Sequence, residues 1–261
     1  MGQETTATIV IGTYNRADLL RRALESLVQQ TAAADTFEIV VVDDGSDDNT
    51  AEVLNVYGRE FSNVHILTTQ KNLGLSHVRN FGLAKASGEY VLFTDDDCTA
   101  HRDWVEKMCD ALGSHPVVAG AIESPGKSWV KLSHNISHFH PFMPGRRSGP
   151  IDFVAGANMG FRRSVLEDLH GFDEERKLAG DTDLCLRART AGYDPYLADG
   201  AAVFHDPAYI TLAGAVKSAY VHARTTILLR IEFRELLRTP FVLRSPLLLR
   251  LLSPAIAAKV T

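Results

Sequence analysis

The amino-acid sequence predicts an α/β protein in which a mostly parallel sheet lies between two layers of helices. Along the N-terminal half, short apolar runs rich in Val and Ile alternate with longer segments of helical periodicity. The apolar runs lack the polar alternation of half-exposed strands, so they are typical of strands buried on both faces. A chain of 261 residues, of which 45% are hydrophobic, also supplies enough apolar material for a large core.

Strand and helix segments follow one another in the N-terminal half. The predicted strands are residues 7–12, 37–42, 64–68, 89–94 and 117–122. The predicted helices are residues 16–30, 49–57 and 77–86. Because parallel strands need a long crossover between them, this order predicts right-handed connections through the helices.

The second half of the chain is less regular. Prolines and glycines interrupt residues 125–150, which contain His134, His138 and His140, so this stretch is predicted to be a loop. The remaining predicted strands are residues 151–154 and 196–204, and the remaining predicted helices are residues 163–169, 182–191 and 212–237.

The chain is predicted to contain one domain followed by a helical extension. The domain covers residues 1–207, with a first half at 1–123 and a second half at 124–207, and the extension covers residues 208–261. The whole chain has a net charge of −5, which argues against a nucleic-acid partner. The extension alone carries eight basic and two acidic residues, so it is strongly basic as well as leucine-rich.

Two interpretations of the basic extension stay open. It would touch an anionic membrane surface or a lipid-linked substrate as a peripheral contact, or it would cover the core with a solvated basic face. Arg and Pro interrupt its apolar stretch before it reaches the roughly 20 residues of a membrane span.

Cys98, Cys109 and Cys185 lack paired spacing and are predicted to be reduced thiols, and no secretory signal is recognisable. We therefore expect a cytoplasmic protein, which under the first interpretation of the extension is peripheral at the inner face of the membrane.

Polar side chains follow three of the predicted strands, at the edge where parallel sheets bind ligands. They are Thr13, Tyr14 and Asn15 after the first strand, Asp43 and Asp44 after the second, and Asp95, Asp96 and Asp97 after the fourth. Three consecutive carboxylates repel one another, so a hard divalent cation, Mg²⁺ or Mn²⁺, is their natural counter-charge. The alternative is a helix N-cap with an acidic first turn, but capping does not require three aspartates.

Other positions carry two interpretations each. Asp43 and Asp44 would accept hydrogen bonds from a base or ribose, or would form only a turn and a helix start. Arg79 would approach phosphates or the aspartates, or would form a weak surface ion pair. Asp181, at the start of a helix, would deprotonate an attacking hydroxyl, or would cap that helix.

Five segments resemble the motifs of a known family. In chain order they are IVIGTYNR, VVDDGSDD, KNLGLSHVRNFGLAKASGEYVLFTDDD, GANMGFRRSVLEDLHGFDE and GDTDLCLRARTAGY. Their order and separation resemble family 2 of the inverting glycosyltransferases over about three quarters of the chain. The resemblance implies the A-type glycosyltransferase fold, a Rossmann-like nucleotide-binding sheet, here followed by C-terminal helices.

The resemblance also implies roles for the residues at the strand ends. The positions that match the base- and ribose-binding residues of a nucleotide-sugar site are Thr13, Tyr14, Asp43 and Asp44. Other residues in the segments that shape this pocket are Asn15, Arg79 and Asp96. Asp95 and Asp97 match the family's DxD motif, with Asp97 as the direct metal ligand and Asp95 nearer the ribose and diphosphate.

In the second half, the resemblance implies an acceptor side of the site. The segment that resembles the loop under the donor sugar and acceptor consists of Gly156, Ala157, Asn158 and Met159. Asp181 matches the family's general base. His205 resembles a histidine that completes the metal site in some relatives, although a lone histidine is otherwise more often structural.

Two positions depart from the family pattern. Gly12 replaces the usual proline before Thr-Tyr-Asn, which is expected to change loop stiffness. Gly180 replaces the acidic neighbour of the base, which removes a partner that would orient the acceptor, and Asp183 is a candidate substitute. The Gln-x-x-Arg-Trp motif of processive members is absent, so transfer of a single sugar is predicted.

The predicted function is transfer of one sugar from a UDP- or dTDP-linked donor to an acceptor hydroxyl, with inversion, a divalent metal and Asp181 as base. The acceptor would be a glycan, a lipid-linked glycan or a small molecule. Two alternatives remain: a haloacid-dehalogenase-type phosphatase with Asp95 as its nucleophile, and a nucleotide-sugar-binding protein without turnover, which Gly180 would favour. A dinucleotide oxidoreductase is disfavoured because no GxGxxG follows the first strand.

Overall fold

Strands and helices alternate in the N-terminal half of the molecule, as the sequence predicts. The computed structural model describes residues 5–125, 128–176, 178–207 and 211–237. The elements of this half are β1 (Ala7–Thr13), α1 (Ala17–Val28), β2 (Phe37–Asp43), α2 (Thr50–Glu60), β3 (Val64–Thr68), α3 (Leu75–Leu83) and β4 (Tyr90–Asp95).

The second half contains short strands and further helices. Its elements are β5 (Cys98–Ala100), α4 (Trp104–Ser114), β6 (Val117–Glu123), α5 (Trp129–Phe139), β7 (Gly149–Pro150), β8 (Asn158–Arg162), α6 (Arg163–Asp168), α7 (Gly180–Thr190), β9 (Pro195–His205) and α8 (Leu212–Glu232). A single 3-10 turn, His140–Phe142, follows α5.

One sheet contains all the strands of the described residues, in the order β3-β2-β1-β4-β8-β6-β9-β5, with β7 paired to β9. β1 runs parallel to β2 and β4, and β2 runs parallel to β3. β8 is antiparallel to both β4 and β6, so β6 and its parallel neighbour β9 run in the same direction as β4. The mostly parallel sheet is therefore confirmed, although the insertion of β8 was not predicted.

Burial of both sheet faces holds this architecture together. Ile9 on β1, Ile39 on β2 and Leu92 on β4 are fully buried. Helix α1 covers one face with the stripe that its periodicity predicts, since Leu20 and Leu24 are also fully buried. Each such side chain contributes roughly 1.5 to 3 kcal/mol through the hydrophobic effect.

Two predictions for the second half are wrong, and helix α4 was not predicted. The strand predicted at residues 151–154 does not form, and β8 forms instead at Asn158–Arg162, a segment for which no element was predicted. Residues 129–139, predicted as loop, form α5, because the prolines and glycines lie beyond the ends of this helix rather than inside it. The sequence analysis assigned no element to α4, although it lies directly after β5 and buries Trp104.

The chain divides into two compact units, Met1–Tyr209 and Ile210–Thr261. In the second unit, α8 exposes Leu212, Val216 and Tyr220, which recur at four-residue spacing and therefore share one face. The basic residues beyond residue 237, which contributed to the predicted membrane contact, lie outside the described residues. Among the helices that the structure describes, none combines the length and apolar character required to cross a membrane.

Glu38 on β2 ties the start of the sheet to the chain before β4. Its Oε1 atom accepts hydrogen bonds from Thr8 Oγ1 (2.6 Å), Ser87 N (2.7 Å) and Ser87 Oγ (2.8 Å). Partial burial acts to raise the pKa of Glu38, but the hydrogen bonds from Thr8 and Ser87 outweigh it, so the pKa is lowered. The ionised carboxylate therefore stabilises the folded state.

Replacing Glu38 with Gln is expected to lower the free energy of unfolding at pH 7 by about 1 to 2 kcal/mol, because charge-assisted hydrogen bonds become neutral ones. Since the folded-state pKa is lowered, the stabilisation is present above the ordinary Glu pKa of 4.5 and is lost as the pH falls through the folded value. Urea titrations at neutral and acidic pH measure both effects.

The exposed Glu25 on α1 provides the matched control, as Glu25→Gln. Equal losses in the two variants, or a deficit of Glu38→Gln that persists undiminished at acidic pH, would contradict this role of the carboxylate.

Candidate active site

An open cleft of about 520 Å³ lies at the carboxyl ends of β1 and β4. The predicted site residues that line it are Thr13, Tyr14, Asp44, Asp95, Asp96, Asp97 and His205. A second pocket, of about 380 Å³, is lined by residues of α4 and β9 and contains none of the predicted residues. The convergence of carboxylates in the first cleft makes it the candidate active site.

Asp96 connects the loop after β1 to the aspartate turn. Its Oδ2 atom accepts a hydrogen bond from Thr13 Oγ1 (2.8 Å), and its Oδ1 atom pairs with Arg16 Nη1 (2.9 Å). Burial raises the pKa of Asp96 to about 6, against the opposing effect of Arg16. Both oxygens of this carboxylate therefore hold the walls of the cleft together.

Asp97 and His205 face each other because β5 pairs with β9. Asp206 N donates a hydrogen bond to Asp97 O (2.9 Å), and Cys98 lies opposite His205 in the antiparallel register. Asp97 Oδ1 lies 3.5 Å from His205 Nε2. Burial, followed by repulsion from Asp95, raises the pKa of Asp97 to about 6, and burial lowers the pKa of His205, so this imidazole is neutral at pH 7.

Arg79 is a buried cation rather than part of a surface ion pair. Its Nη2 atom lies 3.0 Å from Asp95 Oδ1 and donates to Gly156 O at 3.2 Å. Its guanidinium carbon lies 5.5 Å from the centre of the Phe172 ring, within the range of a cation–π contact. Arg79 therefore approaches the aspartates, as one of the two interpretations predicted.

A chain of contacts joins Asp181 to this cluster, although Asp181 does not line the cleft itself. Gly156 N donates a hydrogen bond to Asp181 Oδ2 (2.7 Å), and Gly156 O accepts the one from Arg79. A Cβ atom at position 156 would lie 2.5 Å from Arg79 Nη2, so only glycine permits this approach. Asp181 Oδ1 also accepts from Thr182 N (2.8 Å), which places the carboxylate in the first turn of α7.

Asp44 stabilises the loop that precedes α3. Its Oδ1 atom accepts a hydrogen bond from Leu73 N (2.9 Å), and its Oδ2 atom accepts one from Gly74 N (2.8 Å). The carboxylate is 4% exposed at the wall of the cleft. Asp44 thus shapes the cleft through the main chain of its neighbours.

Like Arg79, two other predicted nucleotide contacts do not line the cleft. Asp43 is buried and accepts a hydrogen bond from Ser46 N (3.0 Å), so it stabilises the turn that the alternative interpretation describes. Asn15 is exposed, has a left-handed φ of 53°, and accepts a hydrogen bond from Asp47 N (2.8 Å). It therefore links the loops after β1 and β2.

The segment predicted to lie under the sugar is mostly interior. Ala157, Asn158 and Met159 are buried, and the last two belong to β8. Asn158 Nδ2 donates to the main-chain oxygens of Ala121 (2.8 Å) and Ala201 (2.9 Å), and its Oδ1 atom accepts from the Trp104 indole (2.9 Å). Asn158 is therefore a hydrogen-bonding residue of the core. In this segment, Gly156 contacts the site residues Arg79 and Asp181 through its main chain.

Asp183 is not available as a partner of the base. It is buried and forms ion pairs with Arg176 (3.2 Å) and Arg187 (2.9 Å), so the expectation that it substitutes for an acidic neighbour is wrong. At Gly180, an added Cβ atom would lie 2.8 Å from Ser76 Oγ. The serine hydroxyl therefore occupies the space into which a side chain at position 180 would extend.

Sequence reasoning missed two residues that contact the aspartates and the histidine. Arg16 pairs with Asp96, and Asn135 on α5 forms two hydrogen bonds with His205. Arg16 could have been identified from the sequence, because three consecutive carboxylates require a nearby cation and Arg16 follows the end of the first strand. Asn135 could not have been identified in this way, because its helix, α5, was not predicted.

No three His, Cys, Asp or Glu side chains among the described residues already stand in the arrangement of a metal site. Arg16 and Arg79 engage part of the carboxylate oxygens. Asp97 Oδ1 and His205 Nε2 are two potential ligands in the cleft that lie 3.5 Å apart.

A mostly parallel sheet with polar residues clustered beyond the carboxyl ends of its strands has the usual ligand-binding arrangement of α/β proteins. The sequence model of Glycosyl transferase family 2 matches residues 8–170, and that of Glycosyl transferase family group 2 matches residues 90–256. The chain belongs to glycosyl transferase family 2, as its motifs predict.

Curated relatives agree with this assignment. Glycosyltransferase AglE of Haloferax volcanii is 27% identical over 188 residues, which cover 71% of this chain and 62% of AglE. Pre-mycofactocin glycosyltransferase of Mycobacterium tuberculosis is 29% identical over 215 residues, which cover 76% of this chain and 42% of that protein. The chain therefore spans less than two thirds of the length of these relatives.

Solved structures show the same fold. The mannosyltransferase PcManGT from Pyrobaculum calidifontis, in complex with GDP-Man and Mn²⁺, has a TM-score of 0.73 at 20% identity, covering 98% of this chain and 74% of its own. S. aureus TarS 1-349 in complex with UDP-GlcNAc has a TM-score of 0.66 at 21% identity. The match covers 89% of this chain and 70% of the TarS chain. The chain has the A-type glycosyltransferase fold, which confirms the predicted fold class.

Replacing Asn158 with Ala is expected to lower the free energy of unfolding by about 2 to 4 kcal/mol, because the carbonyls of Ala121 and Ala201 and the Trp104 indole N–H all lose a buried hydrogen bond. Urea titration measures the loss, and the exposed Asn55 on α2 provides the control as Asn55→Ala. Unchanged stability of Asn158→Ala would contradict its placement in the core.

Proposed function

We propose that the chain transfers a single sugar from a UDP- or dTDP-linked donor to an acceptor hydroxyl with inversion at the anomeric carbon. The observation that carries the proposal is the contact chain that joins the aspartate turn to Asp181 through Arg79 and Gly156. This chain holds a carboxylate base in a fixed relation to the acidic cleft. The nucleotide sugars named for PcManGT and TarS support a donor of this chemical class.

The cleft suits the nucleotide end of such a donor. Tyr14 is 43% exposed, so its ring is available for stacking against a base. Arg16 is 45% exposed at the side chain and lies beside Asp97, where it would attract the diphosphate. Thr13 and Asp44 complete the walls.

The donor set fits a divalent cation, Mg²⁺ or Mn²⁺. Asp97 Oδ1 and the neutral His205 Nε2 lie 3.5 Å apart, and burial raises the pKa of the carboxyl, as expected for an acidic group without full compensation. Mg²⁺ typically takes one or two carboxylates, water and substrate phosphates, so two protein ligands with Asp95 nearby are enough. When bound, the ion would neutralise charge on the departing diphosphate. The Mn²⁺ named for PcManGT supports this assignment.

Asp181 is the proposed general base. Its hydrogen bond from Gly156 N fixes the orientation of the carboxylate. The base takes the proton of the acceptor hydroxyl, the acceptor oxygen forms a bond to the anomeric carbon, and the bond from that carbon to the diphosphate breaks. Attack opposite the leaving group inverts the configuration. Arg16 then holds the negative charge of the released nucleotide diphosphate.

The acceptor is proposed to be a glycan, a lipid-linked glycan or a small molecule. The apolar face of α8, with the exposed basic Lys217 on the same helix, suits a peripheral contact with an anionic membrane surface. Such a contact at the inner face of a membrane would bring the protein to a lipid-linked acceptor from the cytoplasm.

The phosphatase alternative is not favoured. Asp95, its required nucleophile, pairs with the buried Arg79 at the end of the fourth strand. The match to glycosyl transferase family 2 covers residues 8–170, which include Asp95, and it supports sugar transfer instead.

Asp181→Asn is expected to reduce turnover by about 100-fold or more, because it removes the base, while it leaves binding of UDP or dTDP with Mn²⁺ unchanged. Asp97→Asn is expected to lose both turnover and the Mn²⁺-dependent part of nucleotide binding. Calorimetry with UDP, dTDP and GDP measures binding. Nucleotide release from sugar donors, with alkyl glycosides and polyprenyl-linked glycans as acceptors, measures turnover.

The exposed Asp47, in the loop after β2, supplies the control variant Asp47→Asn. Full turnover in Asp181→Asn would show that another group is the base. Mn²⁺-dependent nucleotide binding that survives in Asp97→Asn would remove the metal assignment.

A further inference from the structure

Asn135, on the inner side of α5, contacts His205 twice. Its Nδ2 atom donates a hydrogen bond to the main-chain oxygen of His205 (2.9 Å), and its Oδ1 atom lies 2.8 Å from His205 Nδ1. Asn135 is 1% exposed, so water does not compete for either contact. One amide group therefore holds both the main chain and the ring of this histidine.

These two contacts determine which ring nitrogen carries the proton. A main-chain oxygen only accepts hydrogen bonds, so the amide nitrogen of Asn135 must face it. The amide oxygen then faces His205 Nδ1, and because an oxygen of this kind also only accepts, Nδ1 must be the protonated nitrogen. A neutral imidazole has one N–H, so Nε2 presents a lone pair.

The lone pair is directed towards the acidic side of the cleft. His205 Nε2 and Asp97 Oδ1 lie 3.5 Å apart, beyond the length of a hydrogen bond, and both are acceptors. Two facing acceptors repel each other unless a positive charge lies between or beside them. The arrangement therefore prepares a position for a cation.

Helix α5 is anchored on the same segment by two further contacts. Lys131 Nζ pairs with Asp206 Oδ1 at 2.6 Å, one residue beyond the histidine. The Phe139 ring meets the His205 ring edge to face, with centroids 4.8 Å apart. The position of Asn135 against His205 is thus fixed by the helix as a whole.

We propose that Asn135 is a positioning residue that holds His205 as the Nδ1-protonated tautomer, so that Nε2 and Asp97 together receive a divalent cation. The cation part rests on the function proposed above, whereas the proton on Nδ1 follows from the hydrogen bonds alone. Partners of this kind fix the orientation of a metal-binding histidine and the position of its lone pair.

Nitrogen-15 NMR of the metal-free full chain tests the tautomer directly. The His205 signals are identified by their loss in His205→Gln. The expected spectrum shows a protonated Nδ1 and an unprotonated Nε2 at neutral pH. A ring protonated on Nε2 would overturn the proposal without any variant at position 135.

Variants at Asn135 then test its effect on the ring and on the cation. Asn135→Leu is expected to lose the uniform Nδ1-protonated state and to bind Mn²⁺, measured by electron paramagnetic resonance with UDP present, roughly 10- to 100-fold more weakly. Asn135→Asp keeps an acceptor for Nδ1 but cannot donate to the carbonyl, so it should retain the tautomer. Ser137→Ala, exposed on the same helix, is the matched control and should resemble the wild type.

Unchanged Mn²⁺ affinity and tautomer in Asn135→Leu would overturn the positioning role while leaving sugar transfer intact. If Asn135→Leu does not fold, the spectra of the wild type and of Asn135→Asp test the positioning role instead. Loss of the Nδ1-protonated tautomer in Asn135→Asp would contradict the proposal. A wild-type protein that binds no Mn²⁺ but shows the Nδ1-protonated ring would instead contradict the metal-dependent function.

Discussion

The geometry of the candidate site depends on one buried cation, Arg79. Its guanidinium contacts Asp95, the main-chain oxygen of Gly156 and the Phe172 ring, and Gly156 in turn binds Asp181. Burying a guanidinium is costly unless its charge and its N–H groups are compensated, and these partners supply that compensation. The same contacts set the relation between the acidic cleft and the carboxylate proposed as base. The contacts of this one residue thus connect the proposed donor side to the proposed acceptor side.

Charge balance explains why the cleft suits an anionic ligand only together with a cation. Three carboxylates, Asp95 to Asp97, face the two guanidiniums Arg16 and Arg79, while burial keeps His205 neutral. Negative charge therefore remains in excess, and a diphosphate would add to it. A divalent ion beside Asp97 would reverse this balance, since it neutralises both the carboxylate and the phosphates. Burial is the main cause of the raised pKa values of Asp96 and Asp97, and repulsion between neighbouring aspartates adds to it.

The sequence predicted the parts of the structure that depend on local patterns. Apolar runs marked the buried strands, and the polar residues after β1 and β4 converge because parallel strands end at one edge of a sheet. Asn158 was misplaced because a polar residue in a central strand depends on partners far away in the chain, Trp104 and Ala201. The site residue Asn135 was missed because its helix lies between prolines and glycines that resemble those of a loop. Tertiary hydrogen bonds decided these cases, and no local pattern encodes them.

We propose that a divalent cation binds in the gap between Asp97 Oδ1 and His205 Nε2. Anomalous diffraction from crystals grown with Mn²⁺ and UDP tests that claim most directly, because it locates the ion without reference to activity. The expected result is one strong Mn²⁺ peak within bonding distance of Asp97 Oδ1 and His205 Nε2, with the diphosphate on the same ion. A peak bound elsewhere, or nucleotide bound in the cleft with no ion between Asp97 and the phosphates, would contradict it.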